Sequence, residues 1–121
     1  MSGINYPQQG DLIWIDAEPH AGHEYGGHNA NNIRRPMLVV SSTLYNSRSG
    51  MVVGFPITSK DLPLGFDFSL TINTSKIRGH AIVANILGYD FEARHGEVVD
   101  HVNTATLQEA MSAVKDIFNI L

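Results

Sequence analysis

The sequence predicts a small, mainly β domain that ends in one helix. Short apolar runs recur between residues 11 and 99, turn-forming residues separate them, and a helical period occurs only near the C-terminus. Short strands closed by one amphipathic helix favour a compact, strongly bent, barrel-like sheet. Because the 121 residues contain no repeat or linker, we expect a single domain over residues 1–121.

The first half of the chain contains three predicted strands. Residues 11–16 are short, apolar and β-rich. Residues 36–42 hold an apolar run between a proline and serines, which is typical of a strand buried on both faces. Residues 51–58 are similar, and Pro56 predicts an edge strand or a strand end because proline donates no hydrogen bond to a sheet.

Further strands are predicted in the second half. Between residues 66 and 72, Phe66, Phe68, Leu70 and Ile72 alternate with polar residues, so we expect these four to face the core. Residues 80–87 and 89–93 bring the count to six strands, and residues 98–99 add a short piece.

A helix is predicted only at the C-terminus. Asn103 or Thr104 can cap it, and Thr106 with Glu109 would also form a capping box. Its apolar residues recur at three- and four-residue spacing: Leu107, Met111, Val114, Ile117 or Phe118, and Leu121.

Composition limits the chemistry and the location. The chain is 43% hydrophobic and 17% charged, as folded soluble domains are, and no apolar run approaches the roughly 18 residues of a membrane span. No secretory signal is recognisable, so we expect a cytoplasmic protein. The absence of cysteine excludes disulfides, thiolate metal ligands and a thiol nucleophile. A net charge of −4 argues against nucleic-acid binding unless the few cations are concentrated on one surface.

Three short motifs follow one another in the first half of the chain. They are Gly-Asp-Leu-Ile-Trp at residues 10–14, Arg35-Pro36, and Pro56 followed by Thr58 and Ser59. In this order they closely resemble the MazF/PemK family of bacterial ribonuclease toxins. The resemblance spans nearly the whole chain and implies an SH3-like barrel with a terminal helix, the CcdB/MazF-type toxin fold.

Arg35 and Thr58 are the predicted catalytic pair. A guanidinium grips a phosphate through two parallel hydrogen bonds, and a threonine hydroxyl adds a small donor. Since RNA cleavage by the 2′-hydroxyl brings its own nucleophile, neither a catalytic serine nor a metal is needed. Arg-Pro and Thr58 could instead be only a strand entry and a strand end, but the family resemblance favours catalysis. A permanently charged guanidinium accepts protons poorly, so a separate proton acceptor is expected. The resemblance implies Glu24 for this role, because an acidic residue in the loop before Arg-Pro matches the family.

The loop over residues 19–33 contains His20, His23 and His28 among glycines. Their spacing differs from the helical His-Glu-x-x-His motif and no further ligand follows, so we predict no metal site and no cofactor. The resemblance implies a loop that borders the active site, is displaced by an antitoxin, and places His28 against the substrate. It is several residues longer than in the shortest family members, which residues 29–33 account for.

Substrate contacts are also expected from Arg34, Ser59, Lys60 and Asn85. Many relatives have a basic residue and a hydroxyl in the run that begins at Asn85, whereas this chain has Leu87 and Gly88. The change removes one phosphate contact. Aromatic and amide side chains could hold splayed bases, and the candidates are Tyr25, Tyr45 and Asn46.

The resemblance thus implies a metal-independent, sequence-specific endoribonuclease toxin that acts on single-stranded RNA and leaves a 2′,3′-cyclic phosphate and a 5′-hydroxyl. We expect a homodimer, neutralised by a cognate antitoxin whose disordered segment folds into the groove near Arg35. The alternative is a CcdB-like toxin, which shares the barrel and poisons DNA gyrase by binding, without nuclease activity. An inactive or regulatory barrel is the third possibility.

Overall fold

A computed structural model describes residues 5–17, 33–63, 65 and 67–120. The predictions for Glu24, His28, Tyr25, Phe66 and Leu121 fall outside these residues, as do those for the loop histidines. The elements along the described chain are β1 (Asp11–Asp16), β2 (Arg34–Val39), α1 (Thr43–Ser49), β3 (Met51–Thr58), β4 (Ser69–Asn73), β5 (Arg78–Ile82), β6 (Leu87–Asp90), β7 (Glu97–His101) and α2 (Thr104–Phe118).

The strands form an antiparallel sheet in the order β4-β5-β3-β2-β1-β7, and β6 also pairs with β3. Strand β3 is therefore central, so the edge-strand alternative for Pro56 is wrong, whereas a position near a strand end agrees with β3 ending at Thr58. On one side of β3 the partner changes from β6, which pairs with residues 51–54, to β5, which pairs with residues 57–58. Pro56 lies in the gap between these partners, where its missing N–H costs no ladder hydrogen bond.

Both faces of the central strands are buried. One face packs into a cluster around Leu12, Leu38 and Phe55, which Leu107 and Met111 of α2 cover. The opposite face forms a second cluster; its buried members are Ile13, Ile15, Met37, Val39, Val52 and Phe91. Because successive side chains of a strand point to opposite faces, continuous apolar runs supply both clusters at once.

The Gly-Asp of the first motif connects the start of β1 to the ends of β2 and β7. Gly10 has a φ of 96°, which favours glycine, and its N–H and carbonyl bond to Val39 and Val102. Asp11 is almost buried, with Oδ1 2.7 Å from Nδ1 of His101, and Oδ2 accepts the N–H of Gln8. This motif therefore joins β1 to β7.

Helix α1 was not predicted, because it has only seven residues and no apolar stripe. Ser42 caps its first turn, and Gly50 ends it with a φ of 76°. Asn46 is fully buried in this helix and donates to the carbonyl of Pro7 at 2.9 Å. The prediction that Asn46 contacts RNA bases is therefore wrong, whereas Tyr45 beside it is exposed.

Two later strands differ from prediction. Strand β4 begins at Ser69 rather than residue 66, and Phe68 is 61% exposed, so the prediction that Phe68 faces the core is wrong. The carbonyl of Phe68 accepts the N–H of Val83, just past the end of β5, and its side chain lines a surface groove with Ile117 of α2. The run predicted over residues 80–87 divides into β5 and β6 at a turn.

The prediction of a C-terminal helix is confirmed. Asn103 is its N-cap and accepts the N–H of Thr106 at 2.8 Å, so the alternative capping box at Thr106 is wrong. Leu107, Met111 and Val114 pack against the first cluster as expected. Within the described part of the chain, neither helix is long and apolar enough to cross a membrane.

Candidate active site

Three strand ends meet at one edge of the sheet. In the β2–β3 pair Met37 lies opposite Pro56, and continuing that antiparallel register brings Arg35 level with Thr58. In the β3–β5 pair Thr58 lies opposite His80. Directly opposed residues share a face of the sheet, so Arg35, Thr58 and His80 form one cross-strand row. Sequence reasoning missed His80, because only the strand register distinguishes it from other histidines in apolar runs.

A cleft of about 270 Å³ opens beside Arg35 and Thr58. Its apolar lining includes Ile15, Met37 and Leu87, and Asn85 also lines it. The structure therefore brings Asn85 to the predicted catalytic pair. Leu87, which replaces the basic residue of many relatives, makes this wall apolar.

A second cleft of about 370 Å³ lies on the other side of the same pair. Among the residues that line it are Arg34, Arg35, Thr58, Ser59, Lys60, Lys76 and Arg78. Five of the eight lysines and arginines of the chain thus line one cleft, and no acidic residue of the described chain lines it. The cations are concentrated despite the net charge of −4. Lys76 and Arg78 were missed, because they are scattered along the sequence.

The hydroxyl of Thr58 is oriented by its own chain. The N–H of Lys60 donates to Thr58 Oγ1 at 3.2 Å, which leaves the hydroxyl hydrogen available to a substrate. Strand β5 approaches the same residue closely, since a Cβ on Gly79 would lie 2.4 Å from the carbonyl oxygen of Thr58. Only glycine fits there, and the close approach holds Thr58 in place.

Arg34 differs from Arg35 in its contacts. Its guanidinium donates to Asp16 Oδ1 at 2.7 Å and to the carbonyl of His95 at 3.0 Å. The hydrogen bond from His95 lowers the pKa of Asp16, and Arg34 adds to this while burial opposes it. Arg35 has no carboxylate within 4.0 Å among the described residues. Within the described residues, Arg34 is therefore paired with a carboxylate and Arg35 is not.

Comparison with known proteins identifies the family. Residues 8–118 match the model of the PemK-like, MazF-like toxins of type II toxin–antitoxin systems. The chain belongs to this toxin family. Over 88 residues it is 32% identical to the endoribonuclease toxin MazF of Escherichia coli K12. The aligned residues cover 73% of this chain and 72% of that protein.

Solved structures of this family confirm the CcdB/MazF-type fold. MazF of Deinococcus radiodurans superposes with a TM-score of 0.75 at 26% identity, covering 94% of this chain and 97% of that one. The MazE–MazF complex of the same organism gives 0.74 at 21% identity, with 96% and 99% covered. A mycobacterial endoribonuclease in complex with its cognate antitoxin gives 0.70 at 18% identity, with 98% of both chains covered.

Two predicted residues of this family member, Glu24 and His28, lie outside the described residues. Within the described residues, no group of three or more histidines and carboxylates is arranged to hold a metal ion. The described site therefore consists of a guanidinium, a hydroxyl and neighbouring cations.

Proposed function

We propose that this chain cleaves single-stranded RNA in a sequence-specific manner and acts as a toxin that a cognate antitoxin neutralises. The observation that carries the proposal is the meeting of Arg35 and Thr58 where an apolar and a basic cleft join. Such a junction suits a nucleotide, which has an apolar base and an anionic backbone. The endoribonuclease activity named for the Escherichia coli relative supports the same function.

In the proposed reaction, the guanidinium of Arg35 binds two oxygens of the scissile phosphate. The Thr58 hydroxyl donates a hydrogen bond to a third oxygen of the same phosphate. The 2′-hydroxyl loses its proton and its oxygen attacks the adjacent phosphorus; the bond to the 5′-oxygen breaks and that oxygen takes up a proton, which leaves a 2′,3′-cyclic phosphate and a 5′-hydroxyl. Charge builds on the phosphate oxygens during attack, and both side chains stabilise that charge. No step of this reaction uses a metal ion or a cofactor.

The 2′-hydroxyl must lose a proton, and two residues compete for the role of acceptor. Family resemblance favours Glu24, whereas the register favours His80, which lies opposite Thr58 and carries an imidazole that can accept a proton. The pH–rate profiles of Glu24→Gln and His80→Gln distinguish them. The variant that lacks the acceptor should lose the limb of the profile that reports its ionisation, and the other variant should keep it.

The remaining proposed contacts follow from the lining of the clefts. Ser59 and Lys60 would bind the backbone and Asn85 a base edge, and His28 would approach from the preceding loop. Arg34 would contribute positive charge while it remains paired with Asp16. A gyrase poison of the CcdB type is not favoured, since the basic cleft and the free Arg35 would have no role in it. The same features argue against an inactive barrel.

We further propose an antitoxin-bound and a dimeric state in the bacterial cytoplasm, where messenger RNA is found. The similar structures from Deinococcus and from a mycobacterial species are complexes with antitoxins. Exposed apolar residues at the end of α2, Ile117 and Phe118, support self-association. Light scattering coupled to size-exclusion chromatography measures this directly, and a monomer at micromolar concentration would contradict it.

Incubation of the purified chain with fluorescent RNA in excess EDTA tests the function. We expect cleavage by the wild type, its loss in Arg35→Ala, and little rescue in Arg35→Lys, which keeps the charge but loses the planar fork. Expression in cells without antitoxin should arrest growth only for those variants that cut RNA. Wild-type cleavage rates in Arg35→Ala would refute the assignment, and growth arrest without cleavage would support gyrase poisoning.

A further inference from the structure

The turn between β4 and β5 is fixed by its own hydrogen bonds. The hydroxyl oxygen of Thr74 accepts the N–H groups of Lys76 and Ile77 at 3.2 and 3.0 Å, and the N–H of Thr74 donates to the carbonyl of Ile77 at 2.8 Å. Ile77 is 3% exposed and belongs to the first core cluster. A rigid, anchored turn therefore presents Lys76 and Arg78 at the rim of the basic cleft.

The side-chain charges at this rim form no ion pair with a carboxylate of the described residues. Lys60 and Arg78 lie two residues beyond the paired Thr58 and His80, and both line the basic cleft. Among the described residues, no carboxylate lies within 4.0 Å of the side-chain nitrogens of Lys60, Lys76 or Arg78. The half-buried carboxylate of Asp100 is the nearest acid to Lys76; it hydrogen-bonds mainly to Thr74 and to backbone N–H groups, including that of Lys76, and attracts the Lys76 charge more weakly. Because neighbouring like charges repel, such a cluster gains stability when an anion binds.

The two clefts differ in what they can bind. Strands β2, β3 and β5 lie side by side, so two strand spacings, about 10 Å, separate Arg35 from the level of His80, and Arg78 lies two residues further along β5. An extended polyanion that crosses Arg35 and Thr58 passes Lys60 and Arg78 next. On the opposite side, Arg35 is the only lysine or arginine among the described residues lining the apolar cleft, where Tyr89 and Leu87 offer a surface for a base.

We propose that Lys60, Lys76 and Arg78 form a second phosphate subsite, which binds the RNA phosphate next to the one that is cleaved. The inference rests on the proposed function, since it places the backbone of the same substrate. The cations of this subsite line the basic cleft, on the side of Arg35 and Thr58 opposite the apolar wall that Leu87 forms.

RNA binding at several salt concentrations tests the subsite. The probe is a fluorescent oligonucleotide that spans a site cut by the wild type, with a 2′-deoxy sugar there so that it binds without cleavage. Lys76→Gln/Arg78→Gln should weaken binding and reduce the slope of log affinity against log salt by about 0.7–1, the contribution of one phosphate. Lys115→Gln, which removes an exposed cation on α2 outside both clefts, should leave the slope unchanged.

A neutral methylphosphonate placed on either side of the cleavage site identifies the phosphate. If the subsite binds it, the neutral linkage weakens wild-type binding, and the double variant shows little further loss on that probe. Equal salt slopes for the double variant and the wild type would overturn the subsite while RNA cleavage by the wild type leaves the proposed function intact. A wild type that neither binds nor cuts RNA would overturn both. Thermal melting checks that the variants are folded.

Discussion

Replacing Thr58 with valine removes one hydroxyl from the proposed site and very little else. Valine keeps the branched shape that suits a strand, and Thr58 is only half-buried, so no cavity forms. The N–H of Lys60 loses its acceptor, but Lys60 is exposed and water replaces the lost bond. The free energy of unfolding should therefore fall by no more than about 0.5–1.5 kcal/mol.

The expected effect on catalysis is larger. The hydroxyl hydrogen of Thr58 is free to donate to a phosphate oxygen, because the oxygen already accepts from Lys60. Loss of one such donor lowers kcat by roughly a hundred- to a thousandfold, equivalent to about 2.7–4 kcal/mol of transition-state stabilisation. Substrate affinity should change much less than kcat, since the charge on the phosphate oxygens grows during attack.

The assay is single-turnover cleavage of a fluorescent RNA in EDTA, with thermal unfolding of the same samples. Thr58→Ser is the matched control, because it keeps the hydroxyl and should retain most of the activity. A Thr58→Val protein that cuts at the wild-type rate would refute the role of Thr58. A serine variant as slow as the valine variant would show that the shape of the side chain, rather than its hydroxyl, matters.

Three further predictions concern stability and metal dependence. Asp16→Asn should lower stability at neutral pH by about 1–3 kcal/mol, since two charge-assisted hydrogen bonds weaken but their partners are partly exposed. Folding lowers the pKa of Asp16, so its contribution to the free energy of unfolding is present above the unfolded pKa and is lost from about pH 4 downwards. Denaturation measured across this pH range should show a smaller loss of stability on acidification in Asp16→Asn than in the wild type. Parallel stability curves for the two proteins would contradict the ion pair. Ile72→Ala should cost about 2–5 kcal/mol and Phe68→Ala less than about 1, because Ile72 is 2% exposed and Phe68 61%; equal shifts in melting would contradict the observed strand. Excess EDTA should leave cleavage unchanged, and activity that disappears with chelator and returns with zinc would favour a metal-activated mechanism.

Local patterns were sufficient for several elements. The bounds of β1 and β3 were predicted and found, because each is an apolar run between turn-forming residues. Asn103 and the apolar stripe identified α2 for a similar reason, since a cap and a 3.6-residue period are local properties. Arg35 and Thr58 were found through ordered motifs that resemble a known family. Their proximity then follows from the antiparallel pairing of β2 with β3.

Other features depended on which strands became neighbours. Phe68 was assigned to the core by its alternation, but its side chain lies exposed in a groove beside α2, although the N–H of Val83, just past β5, bonds to its carbonyl. Asn46 looked like a base contact until the fold placed the carbonyl of Pro7 within hydrogen-bonding distance.

By itself, the sequence determined the mainly β class, the terminal helix, the toxin family and the two residues at the centre of the proposed site. Only the tertiary structure placed His80 opposite Thr58 and brought Lys76 and Arg78 into the basic cleft. Those cations lie far from Arg35 along the chain and carry no motif. The physical reason is that strand order and register are set by packing of the whole sheet, so long-range pairing decides which side chains meet.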